Sequence, residues 1–360
     1  MEKLKNYING KWVNSNSKEF LDVTNPATQE VLAKVPYGKV TSKDIDEAVK
    51  SAHQAYLEWK DVPTMKRVQP LFKLKMLLEE NKIEISKIIT TECGKTLKES
   101  EGEIQRAIEN VEVACGAYVM NQSEFSENIA PGIDEFMIRQ PLGVCGCITP
   151  FNFPGMIPFW FLPYAIATGN AFIIKPSEKV PLTMQFIIEL IDKHLDLPKG
   201  LISLVHGGKE SVDQMLEHSK VKAISFVGST QVAKYIYLQA SKYGKRVQAQ
   251  GGAKNPLVIM PDVDLETTTQ IIIDSVYGCA GQRCLAASVI IPVGDDKGLL
   301  KEALVDSAKK RKVGFGLEEN VEMGPVITNN SKVRIENLIQ EGVNEGSNLL
   351  VDGRNKTISG

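Results

Sequence analysis

The 360-residue chain has no excess of charge of either sign: 42 Lys and Arg against 44 Asp and Glu leave a formal net charge of -2. No Lys/Arg block and no basic stripe with interleaved aromatics occurs, so nucleic acid and anionic membranes are not expected partners. Long apolar runs are missing too. The longest, Met156 to Ala167, is interrupted by Pro158 and Pro163 and falls well short of the roughly 20 residues that span a bilayer, which predicts a buried helix. The N-terminus, MEKLKNYINGKWV, has no apolar signal-peptide core. Cysteine is sparse: six, at 93, 115, 145, 147, 279 and 284, without the dense even spacing of a disulfide scaffold, which fits a reducing cytoplasm as the location. No Cys-x-x-Cys pair exists and none of the histidines 53, 194, 206 and 218 stands at ligand spacing to Cys145 and Cys147, so no metal is expected. Gly-x-Gly-x-x-Gly follows no apolar run, which removes the ordinary dinucleotide fingerprint. Internal repeats and low-complexity tracts are likewise missing. A small-molecule substrate is the expectation that remains.

What is present reads as an α/β protein of about two domains. Tyr7 to Val13 and Phe20 to Val35 look like a hairpin region. Thr41 to Asp44 resembles a capping box opening a helix to about Trp59, Pro63 opens another, and amphipathic patterns continue to about Met120. The segment 118–140 is polar, turns at Pro131-Gly132 and looks like a hairpin excursion. From 141 short apolar runs alternate with helix-length segments, the mark of a parallel sheet. The expected strands are 143–149, 171–175, 201–206, 222–227 and 256–260, separated by helices near 157–169, 181–195, 210–218 and 229–243. A helix from about Leu265, a strand at 288–293 and a helix from about Leu299 follow.

An open doubly wound sheet binds its ligand at the carboxyl ends of its strands. The residues there are Pro150-Phe151-Asn152, Lys175-Pro176-Ser177-Glu178, Gly207-Gly208 and Gly228-Ser229-Thr230. Each admits two readings. Asn152 either donates to a developing oxyanion from a dry setting or caps a turn. Lys175 and Glu178 either take the ribose and phosphate of an adenosine or form a solvated loop. Ser229 either opens a pyrophosphate site at a helix N-terminus or is a plain N-cap. Cys284, in Gly281-Gln282-Arg283-Cys284, is either a small buried hydrophobe or a thiol whose neighbour Arg283 lowers its pKa or binds an anionic substrate group.

Taken in order, NPATQEVL, ITPFNFP, KPSE, LPKG, SFVGST, GQRC and the MGPVI at 323–327 resemble the aldehyde dehydrogenase superfamily along essentially the whole chain. NVEVACG, PLGVCGCITPFNFP, HGG, KAISFVGST, KRVQ followed by GAKN, and GQRC look most like its CoA-acylating methylmalonate-semialdehyde dehydrogenases. The resemblance implies a variant Rossmann NAD-binding domain at 1–122 and 141–252, an oligomerisation hairpin at 123–140 and an α/β catalytic domain at 253–360. It implies Cys284 as nucleophile and Asn152, with the Cys284 backbone N–H, as oxyanion donors. Thr149, Phe151, Lys175, Glu178, Lys179 and Ser229 would line NAD, with Gly251 near the nicotinamide; the Glu178 carboxylate would favour NAD over NADP.

Two departures stand out. Hydrolytic members carry Glu-Leu-Gly-Gly-Lys where this chain has Gln250-Gly251-Gly252-Ala253-Lys254, and a glutamine cannot take the proton of a deacylating water. That supports release of the thioester to coenzyme A, with CO2 lost from a malonate or methylmalonate semialdehyde whose carboxylate would meet Arg283 or Arg106. A hydrolytic enzyme and a non-catalytic NAD-binding remnant are the alternatives. The chain also stops at Gly360, before the family's Glu-Ile-Phe-Gly/Ala-Pro segment, so the catalytic domain is expected to be C-terminally incomplete. A homo-dimer or tetramer is the family's expected assembly.

Overall fold

In a computed structural model the described residues are 2–39, 41–294, 298–355 and 358. Their strands, in chain order, are β1 (Asn6–Ile8), β2 (Lys11–Val13), β3 (Glu19–Thr24), β4 (Val31–Tyr37), β5 (Glu124–Ala130), β6 (Ile133–Met137) and β7 (Val144–Ile148). They continue as β8 (Ala171–Lys175), β9 (Ile202–Leu204), β10 (Val221–Val227), β11 (Arg246–Gln250), β12 (Pro256–Ile259) and β13 (Val289–Pro292). The chain divides into two compact units, one of residues 1–23, 32–85 and 102–251, the other of 24–31, 86–101 and 252–360. Residues 24–31 and 86–101, which the sequence places with the first domain, therefore pack with the second. The hairpin 123–140 falls in the first unit rather than standing apart.

In the first unit one sheet runs in the order β11-β10-β7-β8-β9-β1-β2. The pairs from β11 to β9 are parallel, while β1 joins β9 and β2 joins β1 antiparallel. The N-terminal hairpin is thus the sheet's edge, a pairing across about 200 residues that no local pattern encodes. The parallel strands progress outward from β7 on both sides, to β8 and β9 one way and to β10 and β11 the other. This doubly wound order puts a topological switch point between the carboxyl ends of β7 and β10.

Burial on both faces explains the apolar runs: every residue of β8, Ala171-Phe172-Ile173-Ile174-Lys175, is buried. The helix Thr41–Trp59 buries Ile45, Ala48, Val49, Ala52, Ala55 and Trp59, an i, i+3, i+4 stripe that faces β7 and β8. Trp59 Nε1 donates to the Ile166 carbonyl at 2.9 Å. Its opening differs from the expected capping box, because the Asp44 carboxylate instead accepts from Asn6, Ser15 and Asn16. The expected helix at 157–169 is split into a 3-10 turn, Ile157–Trp160, and a short α-helix, Leu162–Ala167, since Pro158 and Pro163 each remove a backbone donor. β11, read only as a motif, is a strand as well. The hairpin β5–β6 forms as expected, with Phe125 opposite Phe136.

In the second unit β12 and β13 pair in parallel. Ile259, Ile272 and Leu300 make a small core with Leu257, Val276, Ile290 and Leu304 packed on it, joining β12 and β13 to the helices Leu265–Tyr277 and Leu299–Lys310. A further helix, Asn329–Asn344, was not foreseen; Thr328 caps it through the Ser331 N–H. No helix among the described residues is long and apolar enough to cross a membrane, and no group of three or more His, Cys, Asp or Glu among them can hold a metal ion.

Candidate active site

The switch point of the first unit gathers the residues the sequence singled out there. Thr149 follows β7, its N–H bonded to the Lys175 carbonyl at 3.2 Å, and its Oγ1 is buried with no hydrogen-bond partner among the described residues. A buried hydroxyl with nothing to bond is costly, and a ligand oxygen or amide would satisfy it. Phe151 lies under Lys179, whose Nζ is 5.4 Å from the ring centroid. Asn152 is half-buried. The loop behind it is held by Glu103, which accepts from the Gly155 N–H at 2.6 Å and the Met156 N–H at 3.0 Å. Sequence reading missed Glu103, because a glutamate within a helix pattern carries no local sign that it reaches a loop 52 residues away.

Lys175 ends β8 with its ammonium buried, donating to the carbonyls of Pro176 at 2.8 Å and Gly207 at 2.9 Å. Burial pulls its pKa down, and Glu178, 3.9 Å away, opposes that shift. The lysine thus ties together the loops after β8 and β9. In the latter, Gly207 has φ +149° and a Cβ on Gly208 would lie 2.5 Å from the Tyr37 ring, so both positions of the His-Gly-Gly motif require glycine. His206 is fully enclosed, and desolvation beside Lys175 lowers its pKa to about 3.

Ser229 is the N-cap of the helix Thr230–Lys242, but its side chain makes no capping bond. The plain N-cap reading is therefore not what the geometry shows. Gly251 approaches this helix so closely that a Cβ would meet the Thr230 Cα at 3.2 Å. The unmatched Thr149 hydroxyl, the uncapped helix start and the close Gly251 backbone suit the sugar and phosphates of a dinucleotide.

The second unit holds the thiol. None of the six cysteines is in a disulfide, and Cys93, Cys115, Cys147 and Cys279 are buried. Burial pushes the Cys145 thiol up to about 12 and raises those of Cys115 and Cys147. Cys284 is half-exposed, so it is not the sealed hydrophobe of its bland reading. The Cys284 loop is pinned from β12's approach: Asn255 Nδ2 donates to the carbonyls of Cys284 and Ala286, each at 2.9 Å. Upstream lies a turn, Gly278–Gly281, in which Cys279 and Ala280 are left-handed. Gln282 spans that turn, donating to the Cys279 carbonyl at 2.9 Å and accepting from the Ile327 N–H at 3.0 Å. The MGPVI segment is thereby placed: Ile327 bonds Gln282, and Gly324 lies flush on the Gly94 carbonyl, where a Cβ would collide.

Each candidate arginine stands in an ion pair with a carboxylate of the chain. Arg283 pairs with Glu99 at 3.0 Å, and exposed Arg106 pairs with Glu109 at 2.6 Å one turn along its own helix. Both occupy the structural ion pairs that compete with the carboxylate-binding role.

A doubly wound sheet with its glycine and polar residues gathered at the carboxyl ends of its strands is of the nucleotide-binding type, and the family comparison narrows the class. The chain belongs to the aldehyde dehydrogenase family, whose model matches residues 12–360. It is 47% identical over 354 residues to the malonate-semialdehyde dehydrogenase of Bacillus cytotoxicus, covering 98% of this chain and 72% of that protein. The malonate-semialdehyde dehydrogenase of Pseudomonas aeruginosa is 45% identical over 361 residues, covering 100% of this chain and 72% of that one. Among solved structures, a putative methylmalonate-semialdehyde dehydrogenase from Sinorhizobium meliloti complexed with NAD superposes with a TM-score of 0.95 at 41% identity, covering 100% of this chain and 73% of that one. The methylmalonate-semialdehyde dehydrogenase of Oceanimonas doudoroffii gives 0.94 at 40% identity, covering 99% and 72%. The fold is that of the aldehyde dehydrogenases, and the chain is an oxidoreductase of that family.

Proposed function

We propose that this protein oxidises malonate or methylmalonate semialdehyde with NAD and releases the acyl group to coenzyme A with loss of CO2. The Cys284 thiolate adds to the aldehyde carbon, and the resulting oxyanion is met by the Asn152 amide and the Cys284 backbone N–H. NAD, held by Thr149, Phe151, Lys175, Glu178, Lys179, Ser229 and Gly251, supplies the acceptor for the hydride that leaves this carbon. A thioester on Cys284 remains. The thiol of coenzyme A then attacks its carbonyl and frees Cys284, and the β-carboxylate departs as CO2 with a solvent proton taking its place on the α-carbon, giving acetyl-CoA or propionyl-CoA.

Gln250 carries the thiolysis reading. It ends β11, exposed, in the sequence position where hydrolytic relatives have the glutamate base, and its amide takes no proton from water at neutral pH. The names of the relatives support the substrate. Its carboxylate is assigned to Arg283 or Arg106, either of which would exchange Glu99 or Glu109 for the substrate's anion. Glu178, facing an adenosine ribose, would repel a 2′-phosphate and select NAD over NADP.

The test is NADH formation from the semialdehyde with and without coenzyme A. A stoichiometric burst that stalls without coenzyme A and turns over with it is expected. Steady turnover indifferent to coenzyme A refutes thiolysis, and a burst surviving in Cys284→Ala refutes the nucleophile. A homo-oligomer interface is assigned to the β5–β6 hairpin, where Phe125 and Phe136 are 64% and 71% exposed, an apolar pair that suits a partner surface. A Phe125→Glu/Phe136→Glu variant should lower the mass seen by light scattering; an unchanged mass removes the assignment.

A further inference from the structure

The turn before Cys284 is built against its own backbone preference. Cys279 and Ala280 both have φ 51°, and Gly281 follows at φ 73°. Only glycine takes this region without a Cβ penalty, so two successive residues with side chains stay there only where outside bonds fix them.

Besides Gln282, which holds the Cys279 carbonyl, a carboxylate holds the turn. Glu99 Oε1 accepts from the Cys279 N–H at 2.7 Å and from Arg283 Nη2 at 3.0 Å. Its Oε2 accepts from the Thr96 N–H at 2.9 Å and the Thr96 hydroxyl at 3.0 Å, and Thr96 Oγ1 accepts in return from the Glu99 N–H at 3.3 Å. Thr96 and Glu99 thus form a reciprocal capping box at the start of the helix Leu97–Cys115. That cap uses Oε2 alone. The second oxygen serves no helix; it grips the first left-handed residue and the guanidinium next to the nucleophile. The Arg283 guanidinium in turn fills the space over Gly278, where a Cβ would run into it.

We propose that Glu99 is a positioning residue for the nucleophile: it locks the left-handed turn 279–281 and Arg283, and through them sets the direction in which Cys284 is presented. The inference rests on the reading of Cys284 as nucleophile given above. Removing Glu99 frees the turn to relax toward right-handed backbone, which redirects Cys284 without removing any residue assigned to NAD.

The experiment measures alkylation of Cys284 by iodoacetamide, a neutral reagent that Arg283's charge neither attracts nor repels, by peptide mass spectrometry from neutral to alkaline pH, so that rates are compared on the fully ionised thiol. It is run beside kcat and KM in the full chain, on wild type, Glu99→Ala, Glu99→Gln and Glu99→Ala/Ala280→Gly. Glu99→Ala should lower the alkylation rate on the order of tenfold, with kcat falling alongside and the KM for NAD unmoved. Glu99→Gln keeps an acceptor for the Cys279 N–H and should fall between. In the double variant glycine adopts the left-handed region without an anchor, so much of the lost rate should return, which a general loss of stability would not produce. Should Glu99→Ala fail to fold, Glu99→Gln and the double variant decide. Alkylation within about twofold of wild type in the folded Glu99 variants, or no recovery with Ala280→Gly, overturns the proposal. Turnover that survives Cys284→Ala instead overturns the nucleophile assignment itself, so the two failures are distinguishable.

Discussion

Replacing Asn255 isolates what holds the nucleophile's loop. Its Nδ2 makes two hydrogen bonds of 2.9 Å, to the carbonyls of Cys284 and Ala286, while its own N–H is bonded to Ser288 Oγ at 2.9 Å. Asn255→Ala deletes both donors and leaves two carbonyls that are partly screened from water. At about 1 kcal/mol for each lost bond, the cost is about 2 kcal/mol. Asn255→Asp is worse. A carboxylate donates nothing and sets a negative charge against two carbonyl oxygens, so roughly 3–4 kcal/mol is expected. On a chain of this size the alanine variant should melt roughly 2–4 °C lower. Calorimetry reads that shift, and iodoacetamide labelling of Cys284 reads the disorder of its loop. If the aspartate variant melts with wild type and keeps wild-type turnover, these bonds do not hold the loop and the reasoning fails.

Gln250→Glu restores a carboxylate in the position of the hydrolytic base, so NADH formation should become partly independent of coenzyme A; strict dependence would show that a base there is not enough. Lys175→Ala removes the ammonium joining the Pro176 and Gly207 carbonyls and should raise the Kd for NAD about tenfold or more, roughly 1.4 kcal/mol, with Cys284 alkylation unchanged; equilibrium dialysis checks it. His206 is held neutral by burial, its pKa lowered to about 3. Below the unfolded value near 6.5 the unfolded chain binds the extra proton, so stability falls with acidification from about pH 6.5 toward 3, by up to about 1.4 kcal/mol per pH unit. Urea denaturation of His206→Gln at pH 7 and pH 5 should show a shallower loss than wild type; parallel losses would place the acid sensitivity elsewhere.

Local pattern carried most of the sheet. The apolar runs at 143–149 and 171–175 become β7 and β8 because strands buried on both faces must be apolar throughout, and the glycine and polar residues after them mark the ends where a ligand is met. Gln250 was likewise legible as a chemical absence, and the family was legible from motif order alone. Other features depend on residues distant in sequence. The pairing of β1 with β9, Glu103 gripping the loop after Asn152, and Glu99 holding both Cys279 and Arg283 each join residues that share no local periodicity.

Thr41-to-Asp44 reads as a capping box, yet the Asp44 carboxylate serves the loop carrying Ser15 and Asn16, whereas Thr96 and Glu99, which the sequence did not single out, close such a box. Arg283 next to Cys284 reads as a substrate clamp, yet a carboxylate 184 residues earlier in the chain holds it. Sequence determined which side chains are available and in what order they appear. Tertiary structure decided which partner each charge and each buried donor meets, because those choices follow from desolvation and geometry at close range, which a linear pattern does not contain.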